Sequence, residues 1–580
     1  MKLSDYIVEY FYKIGIKDYF GYQGTMIAHL VNSIGKDNRV KNHICYNEQG
    51  VALAAVGYAK SSEKRVCAYA TSGPGATNLI TGIADAYYDS VPVIFITGQL
   101  NTYEYSQINT LRQQGFQEAD IVSIIKPITK YAIKIEDTND IAYILEKAIY
   151  EANTGRKGPV LIDIPMNIQR ADIEIEKLKH FTIPQQDIDE TNYNEIANAI
   201  IENIEKSERP IFLLGNGIEK SGDGYKNINK LINSLKIPVL YSMLAKSLIS
   251  YNNKYNFGFM GTAYGQRYSN IIGCKKADLI ISLGCRMNAR TIGMKRKEFN
   301  TNAKIIRVDI DSEELKFKVH DNDINYKCDV NKLVDIMNNL LENKDVKEKS
   351  EWINTCNIIK EKLKDIDKDI PECMPNRYID LLNDYTDEHT NIFVDVGQNQ
   401  IWAAHSINIK EKQKIVFSGG LGAMGFALPA AIGGCIASRN KTFVIAGDGG
   451  LQMNIQELQT LKKENLPVTV FVFNNNSLGL IHQQQTDFFD SKYFGACEEG
   501  GYEAPDFKAI GEAYKIQSYA VENINEFKNV LETYNPNKPT LIEIKLPVGT
   551  KAYPKTYFGH EMINQRPELD EKLLNELLEL

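Results

Sequence analysis

Asp448, Asn475 and Ser477 are the residues whose types and spacing speak first of chemistry. Asp448 ends the apolar run Phe443-Val-Ile-Ala-Gly-Asp-Gly-Gly, and Asn475 and Ser477 end a second run, Phe471-Val-Phe-Asn-Asn-Asn-Ser. An amphipathic segment separates them, so both ends are predicted to open into the crevice of an α/β sheet, where ligands bind. A carboxylate, an amide oxygen and a backbone carbonyl suit a hard divalent cation such as Mg²⁺, which usually keeps phosphate oxygens of its ligand in the shell. A lone Gly-Asp-Gly is more often an ordinary turn closing a strand, so the rest of the chain has to decide.

The elements that would position these residues follow from the pattern. At 580 residues the chain exceeds what one core usually supports. Short apolar runs alternate with helical segments in three stretches, which predicts parallel sheets. The first holds Val91-Pro-Val-Ile-Phe-Ile-Thr and Pro159-Val-Leu-Ile-Asp-Ile; the second holds Pro210-Ile-Phe-Leu-Leu-Gly and Asp278-Leu-Ile-Ile-Ser-Leu-Gly. A polar linker is expected from Arg170 to Asn194 and a charged helical connector from Glu342 to Asn376. The expected domains are 1–170, 190–340 and 375–548, with a tail over 549–580. Ser72-Gly-Pro-Gly-Ala and Ser418-Gly-Gly-Leu-Gly-Ala echo each other and hint that the first and third domains are related.

Several classes fall away. The net charge is −8 and no Lys/Arg block forms a nucleic-acid footprint. Nine cysteines lie scattered without Cys-x-x-Cys spacing, which argues against a zinc site or a disulfide framework. The N-terminus lacks a signal-peptide core and no run approaches the ~20 apolar residues of a membrane span, so a cytoplasmic protein without membrane partners is expected. Three Gly-x-Gly sites could suggest a dinucleotide fold, but the third glycine of that fingerprint is Asn78, Lys220 or Gln452 here.

Five further blocks carry a resemblance: Tyr46-Asn-Glu48-Gln-Gly-Val-Ala-Leu-Ala-Ala, Ala70-Thr-Ser-Gly-Pro-Gly-Ala-Thr-Asn78, Gln114-Gly-Phe116-Gln117-Glu118, Asp395-Val-Gly-Gln398-Asn399-Gln-Ile-Trp, and Ser418-Gly-Gly-Leu-Gly-Ala-Met424-Gly-Phe. With the Gly-Asp-Gly to Asn-Asn block, the chain resembles the acetolactate (acetohydroxyacid) synthase branch of thiamine diphosphate (ThDP) enzymes. The resemblance implies an α/β fold of three doubly wound parallel-sheet domains: pyrimidine-binding, central and diphosphate-binding. It implies that Asp448, the Asn475 side chain and the Ser477 carbonyl hold Mg²⁺. Glu48 would hydrogen-bond the pyrimidine N1′ and promote the tautomer that activates the coenzyme, a relay for which the protein supplies position and the cofactor the carbanion chemistry. Met424 would wedge between the two coenzyme rings. Gly73, Pro74 and Gly75 would bring the backbone close to the pyrimidine, with Asn78 beside them. Gln398 would contact the diphosphate, and Asn399 stands where these synthases usually have His. Gly422, Gly447, Gly449 and Gly450, and then Leu478, Gly479 and Leu480, complete the implied coenzyme contacts. Gln117 and Phe116 would line the reaction chamber. Pyrimidine and diphosphate sites come from different subunits in that family, so a homodimer or homotetramer with active sites at the interface is implied.

The departures are informative. Where the synthases carry a tryptophan in the acceptor pocket, this chain has Gln484, which opens volume and adds hydrogen-bonding groups. Such a pocket selects against acceptors that cannot pair with it, so the expected acceptor is larger and more hydroxylated than a 2-keto acid, with a nucleotide-linked keto-sugar the leading choice. His482 and His560 are candidate acceptor contacts, each more readily an ordinary solvated histidine. FAD stays open: Arg290 and Asp309 match flavin-contacting positions, but the surrounding motifs differ, and a vestigial domain explains them equally well. The leading reading is a carboligase that decarboxylates a 2-keto acid, taken as pyruvate, and transfers the two-carbon unit to a carbonyl acceptor. A simple 2-keto acid decarboxylase and an ordinary acetolactate synthase are the alternatives, and a silent scaffold is disfavoured because Glu48 and the metal ligands are present.

Overall fold

The computed structural model describes all residues except 106–110, 185–191, 221, 369, 372–373 and 558. Parts of the expected linker and connector therefore lie outside the described residues; the connector's described part carries the predicted helix, Ser350–Leu363. Three parallel six-stranded sheets form the framework. The first comprises β1 (Asp18–Gly21), β2 (Lys41–Ile44), β3 (Cys67–Ala70), β4 (Ile94–Gln99), β5 (Tyr131–Lys134) and β6 (Val160–Pro165), in spatial order β2-β1-β3-β4-β6-β5. Every residue of β3, β4 and β6 is buried, which is why their sequences run apolar instead of alternating. Asp163 in β6 is the charged exception, beside the polar Thr97 and Gln99 of β4. Burial pushes its carboxyl up to about 7, partly offset by the Thr97 hydroxyl and the Gln99 amide donating at 2.7 and 3.0 Å.

The central sheet contains β7 (Pro210–Leu214), β8 (Val239–Tyr241), β9 (Asn256–Phe259), β10 (Leu279–Leu283), β11 (Lys304–Asp309) and β12 (Ile324–Lys327). Its order, β12-β11-β10-β7-β8-β9, is that of a dinucleotide-binding sheet, with the reversal between β7 and β10. The third sheet contains β13 (Asn391–Val394), β14 (Lys414–Phe417), β15 (Thr442–Gly447), β16 (Val468–Asn474), β17 (Gln517–Val521) and β18 (Thr540–Lys545), ordered β14-β13-β15-β16-β18-β17. That is the order of the first sheet repeated. The loop after β3, at Ser72-Gly-Pro-Gly, corresponds in this order to the loop after β15, at Asp448. The Ser418 loop follows β14 instead, so the glycine-rich echo links two loops that are not equivalent, and the kinship rests on strand order.

The first and third units meet through helices Glu48–Ser62 and Ala427–Ser438. The first of these is apolar nearly all round and buried from Gly50 to Ala59. Glycines permit the close crossing: a Cβ on Gly433 would lie 1.8 Å from the Ala54 carbonyl, and one on Gly57 2.1 Å from that of Ala430. Beyond Pro547 the chain folds back. A ribbon of β19 (Lys555–Thr556) and β20 (Gln565–Arg566) bonds to Ala263 and Gly265 of the central unit, and Lys555 pairs with Asp487 at 3.1 Å. No helix among the described residues is long and apolar enough to cross a membrane.

Candidate active site

The residues singled out above gather into two groups. In the first unit, Glu48 opens the helix that follows β2, with the Asn47 side chain capping it by accepting the Gln49 N–H at 2.8 Å. Glu48 is buried, and Asn78 Nδ2 donates to its Oε2 at 3.0 Å. Gly75 lies against its other oxygen, where a Cβ would stand 3.2 Å from Oε1. Gly73, at φ +60, packs against Gln117, whose own φ of 64 is unusual for a side-chain-bearing residue. Gln117 therefore joins Glu48, Gly73, Gly75 and Asn78 in one group. Pro74 begins the short helix Pro74–Asn78 and is exposed, and Phe116 is 79% exposed beside the group.

In the third unit, Asp448 starts a helix directly after β15 and is buried. Burial pushes its carboxyl up to about 6, against the opposing Gly449 and Ser477 N–H groups and the Tyr502 hydroxyl. Its Oδ1 accepts Gly449 N–H at 2.6 Å and its Oδ2 accepts Ser477 N–H at 3.1 Å, so Asp448 ties the end of β15 to the turn after β16. Asn475 Nδ2 donates to Gln398 Oε1 at 3.1 Å, which leaves its amide oxygen as the group available to a cation. The buried Ser477 Oγ has no hydrogen-bond partner within the chain. No cluster of three or more His, Cys, Asp or Glu side chains among the described residues forms a metal cage. A cation here would thus complete its shell with amide, carbonyl and ligand oxygens.

Glycines shape the surrounding cradle. A Cβ on Gly479 would lie 2.1 Å from Gln398 Oε1, and one on Gly449 would strike Leu478 at 2.6 Å and Met424 Cε at 3.3 Å. A Cβ on Gly450 would stand 2.7 Å from Asp395 Oδ1. Met424 thus reaches over the Gly-Asp-Gly turn, between Gly422 (φ +72) and Gly425 (φ +81). Leu480 lines the large cavity described below. Gln398 and Asn399 are both buried, and their amides are engaged. Gln398 Nε2 donates to Thr550 O at 2.8 Å, and Asn399 Nδ2 donates to the carbonyls of Asp395 and Ile445 at 2.7 and 3.2 Å. Asn399 staples the ends of β13 and β15, with its Oδ1 3.2 Å from where a Cβ on Gly447 would be.

Helix Gly479–Phe488 exposes Ile481, Gln484 and Phe488 at i, i+3 and i+7, one face. His482, expected to be solvated, is buried instead. Its ring stacks on Tyr493 at 4.1 Å and 7°, and burial lowers its pKa. His560 is exposed. Arg290 and Asp309 come together around one cavity of about 470 Å³ beyond the ends of β7 and β10, at the strand-order reversal. Arg156 and Arg286 also line it.

Segments of this chain match three models described as the N-terminal TPP binding domain (residues 1–124), the central domain (197–337) and the C-terminal TPP binding domain (395–544) of thiamine pyrophosphate enzymes. The acetolactate synthase large subunit of Lactococcus lactis is 32% identical over 95% of this chain and 93% of its own length. The chain belongs to the acetolactate synthase family of thiamine diphosphate enzymes. A probable acetolactate synthase large subunit of Methanococcus aeolicus is 35% identical over 91% of this chain and 89% of its own, and the Escherichia coli isozyme 1 large subunit is 32% identical over 95% of each. The three α/β units are those of this family, and the protein is a thiamine diphosphate-dependent enzyme. The glycine cradle at Gly449 and Gly479, the orphaned Ser477 Oγ and the mixed oxygen donors fit a metal-bound diphosphate.

Three buried carboxylate sets around these groups were not foreseen. Asp395 accepts the N–H groups of Gly425 (2.9 Å), Val396 (2.9 Å) and Ala427 (2.8 Å) and so fixes the turn carrying Met424, with burial raising its carboxyl to about 6. Lys60 bridges Asp85 and Asp89 at 3.0 and 2.6 Å, and Asp89 in turn accepts the N–H groups of Gly419 (3.0 Å) and Gly420 (2.7 Å). Glu457 accepts Tyr46 N–H at 2.9 Å, two residues before Glu48. The Asp395 block stood in the sequence pattern as a motif; the other two sets left no local signal.

Proposed function

We propose that this enzyme removes CO₂ from pyruvate and joins the remaining two-carbon unit to the carbonyl of a hydroxylated acceptor, a nucleotide-linked keto-sugar. The observation that carries the acceptor reading is the exposed Gln484, an amide set between Ile481 and Phe488 on one helix face. When bound, thiamine diphosphate supplies the electron sink for decarboxylation. Glu48, buried and oriented by Asn78, would hydrogen-bond the pyrimidine N1′. Asp448, Asn475 and the Ser477 carbonyl would hold Mg²⁺, and Met424 would pack against the coenzyme beside the Gly-Asp-Gly turn. Gln117 and Phe116 border the chamber.

No hydrogen bond or ion pair among the described residues joins the Glu48 group to the Asp448 group. Phe116, Phe488 and Phe494 are 79%, 55% and 74% exposed. Both facts support a site completed by a second copy of the chain, with Phe116 beside the Glu48 group and Phe488 on the helix that follows the metal-binding turn. The cavity at Arg290 and Asp309 lies at the position where doubly wound sheets take nucleotides, which supports FAD there; flavin absorbance of the purified protein tests it. The eight described cysteines are buried and none is joined in a disulfide, in keeping with a reducing, cytoplasmic setting.

The test is incubation with pyruvate and a panel of 2-keto acids, free keto-sugars and nucleotide-linked keto-sugars, read by mass spectrometry for a two-carbon gain. Gain on the nucleotide-linked sugar supports the proposal. Acetolactate formation from pyruvate alone at roughly the 10 s⁻¹ of a median enzyme, unaffected by the sugars, would establish an ordinary acetolactate synthase instead.

A further inference from the structure

Glu457 sits at the end of the turn Ile455–Glu457 in the third unit and is fully buried. Its Oε1 accepts Tyr46 N–H at 2.9 Å and its Oε2 accepts the Thr460 hydroxyl at 2.7 Å, with Asn47 N–H and the Cys45 thiol as further donors. Gly50 makes room for it, since a Cβ there would lie 2.4 Å from Oε1. Tyr46 and Asn47 lead straight into the helix that Glu48 opens, and the positive end of that helix favours a carboxylate beside it. A carboxylate from another unit of the fold therefore grips the turn that delivers Glu48. The segment around Glu457 also touches the other group. Asn454, whose carbonyl accepts Glu457 N–H at 3.0 Å, donates from Nδ2 to the carbonyl of Gly425, next to Met424.

We propose that Glu457 is the positioning residue for Glu48, fixing the Tyr46–Asn47 turn and with it the carboxylate that activates the coenzyme. The inference rests on the assignment of Glu48 to that role. Burial pushes the Glu457 carboxyl up to about 7, so its grip is strongest above that pH, where the ionised form accepts every donor. Among titratable groups the Cys45 thiol faces it directly, and Glu464 and Lys463, in the helix Leu458–Glu464 that follows, act on Cys45.

Three full-length variants test this: Glu457→Ala, Glu457→Gln and Glu48→Gln. Each is measured for steady-state kinetics across pH and for amide hydrogen exchange over residues 44–50, with and without thiamine diphosphate. Glu457→Ala is expected to lower kcat about 100-fold, the cost of a misplacement near 1 Å, with KM little changed and exchange over 44–50 accelerated. Glu457→Gln keeps an oxygen for Tyr46 N–H and matches the wild type below pH 7, but lacks the rise in kcat above it. Glu48→Gln loses turnover while exchange stays at the wild-type rate. Unchanged exchange in Glu457→Ala, or a wild-type pH profile in Glu457→Gln, overturns the proposal; the glutamine variant decides if the alanine variant does not fold. Full turnover in Glu48→Gln would instead sink the role of Glu48, while the exchange data still report on the contact.

Discussion

Replacing Asp395 by Asn should impair coenzyme binding while leaving overall stability nearly untouched. In the wild type, Oδ1 takes the N–H groups of Gly425 and Val396 and Oδ2 takes that of Ala427. Asparagine keeps one oxygen for the first pair but turns its NH₂ toward the Ala427 N–H, donor against donor. A buried donor left unsatisfied costs about 1–3 kcal/mol. Against that stands a relief. Burial raises the carboxyl from 3.8 to about 6, so the ionised form costs about 3 kcal/mol at neutral pH that a neutral amide avoids. The sign follows from linkage. An acid whose folded pKa is raised loses stability as pH climbs from its unfolded value through the folded one, and the cost is complete above about 6. The two effects nearly cancel globally, but the strain falls on the turn that carries Met424. If about 2 kcal/mol is relieved by shifting that turn, thiamine diphosphate binds about 30-fold more weakly. Calorimetric titration at fixed Mg²⁺ measures the affinity, and a melting curve measures the stability. Affinity within a factor of about two of wild type, or a loss of affinity matched by a large fall in Tm, would refute the reasoning.

Lys60→Met leaves Asp85 and Asp89 buried together without their cation. Breaking a buried ion pair costs about 3–5 kcal/mol, so Tm should drop, and the drop should shrink at lower pH, because Asp85 is already held above the usual carboxylate range by burial and can take a proton. Gln484→Trp should shift products toward simple 2-keto acid acceptors by about tenfold or more in a competition assay read by mass spectrometry; an unchanged ratio would remove Gln484 from the acceptor pocket. Gly433→Ala forces a Cβ to within 1.8 Å of the Ala54 carbonyl, and overpacking of this kind costs about 1–3 kcal/mol, visible as a lower Tm.

The difference between what the sequence announces and what it conceals has a physical basis. Asp448, Asn475 and Ser477 are legible because a strand end in an α/β sheet is a local event, marked by an apolar run that stops at polar residues. The three-sheet architecture is legible for the same reason, since strands buried on both faces read as unbroken apolar runs. The residues that hold the site are different in kind. Glu457 meets Tyr46 across 411 positions, and Asp89 meets Gly419 across 330, so no window of sequence contains both partners. A buried carboxylate is tolerable only where the fold brings donors to it, and those donors here are backbone N–H groups, which every residue type presents alike. Gln398 and Asn399 show the converse. Motif likeness places both on the coenzyme, yet the donors of both amides are engaged by the chain, one with Thr550 and the other with two strand ends. A motif identifies where a ligand is held; it does not distinguish the side chain that touches the ligand from the one that holds its neighbour in place. In Gln398 the two roles meet, because the oxygen that accepts from Asn475 decides which end of that amide is free to face a metal ion.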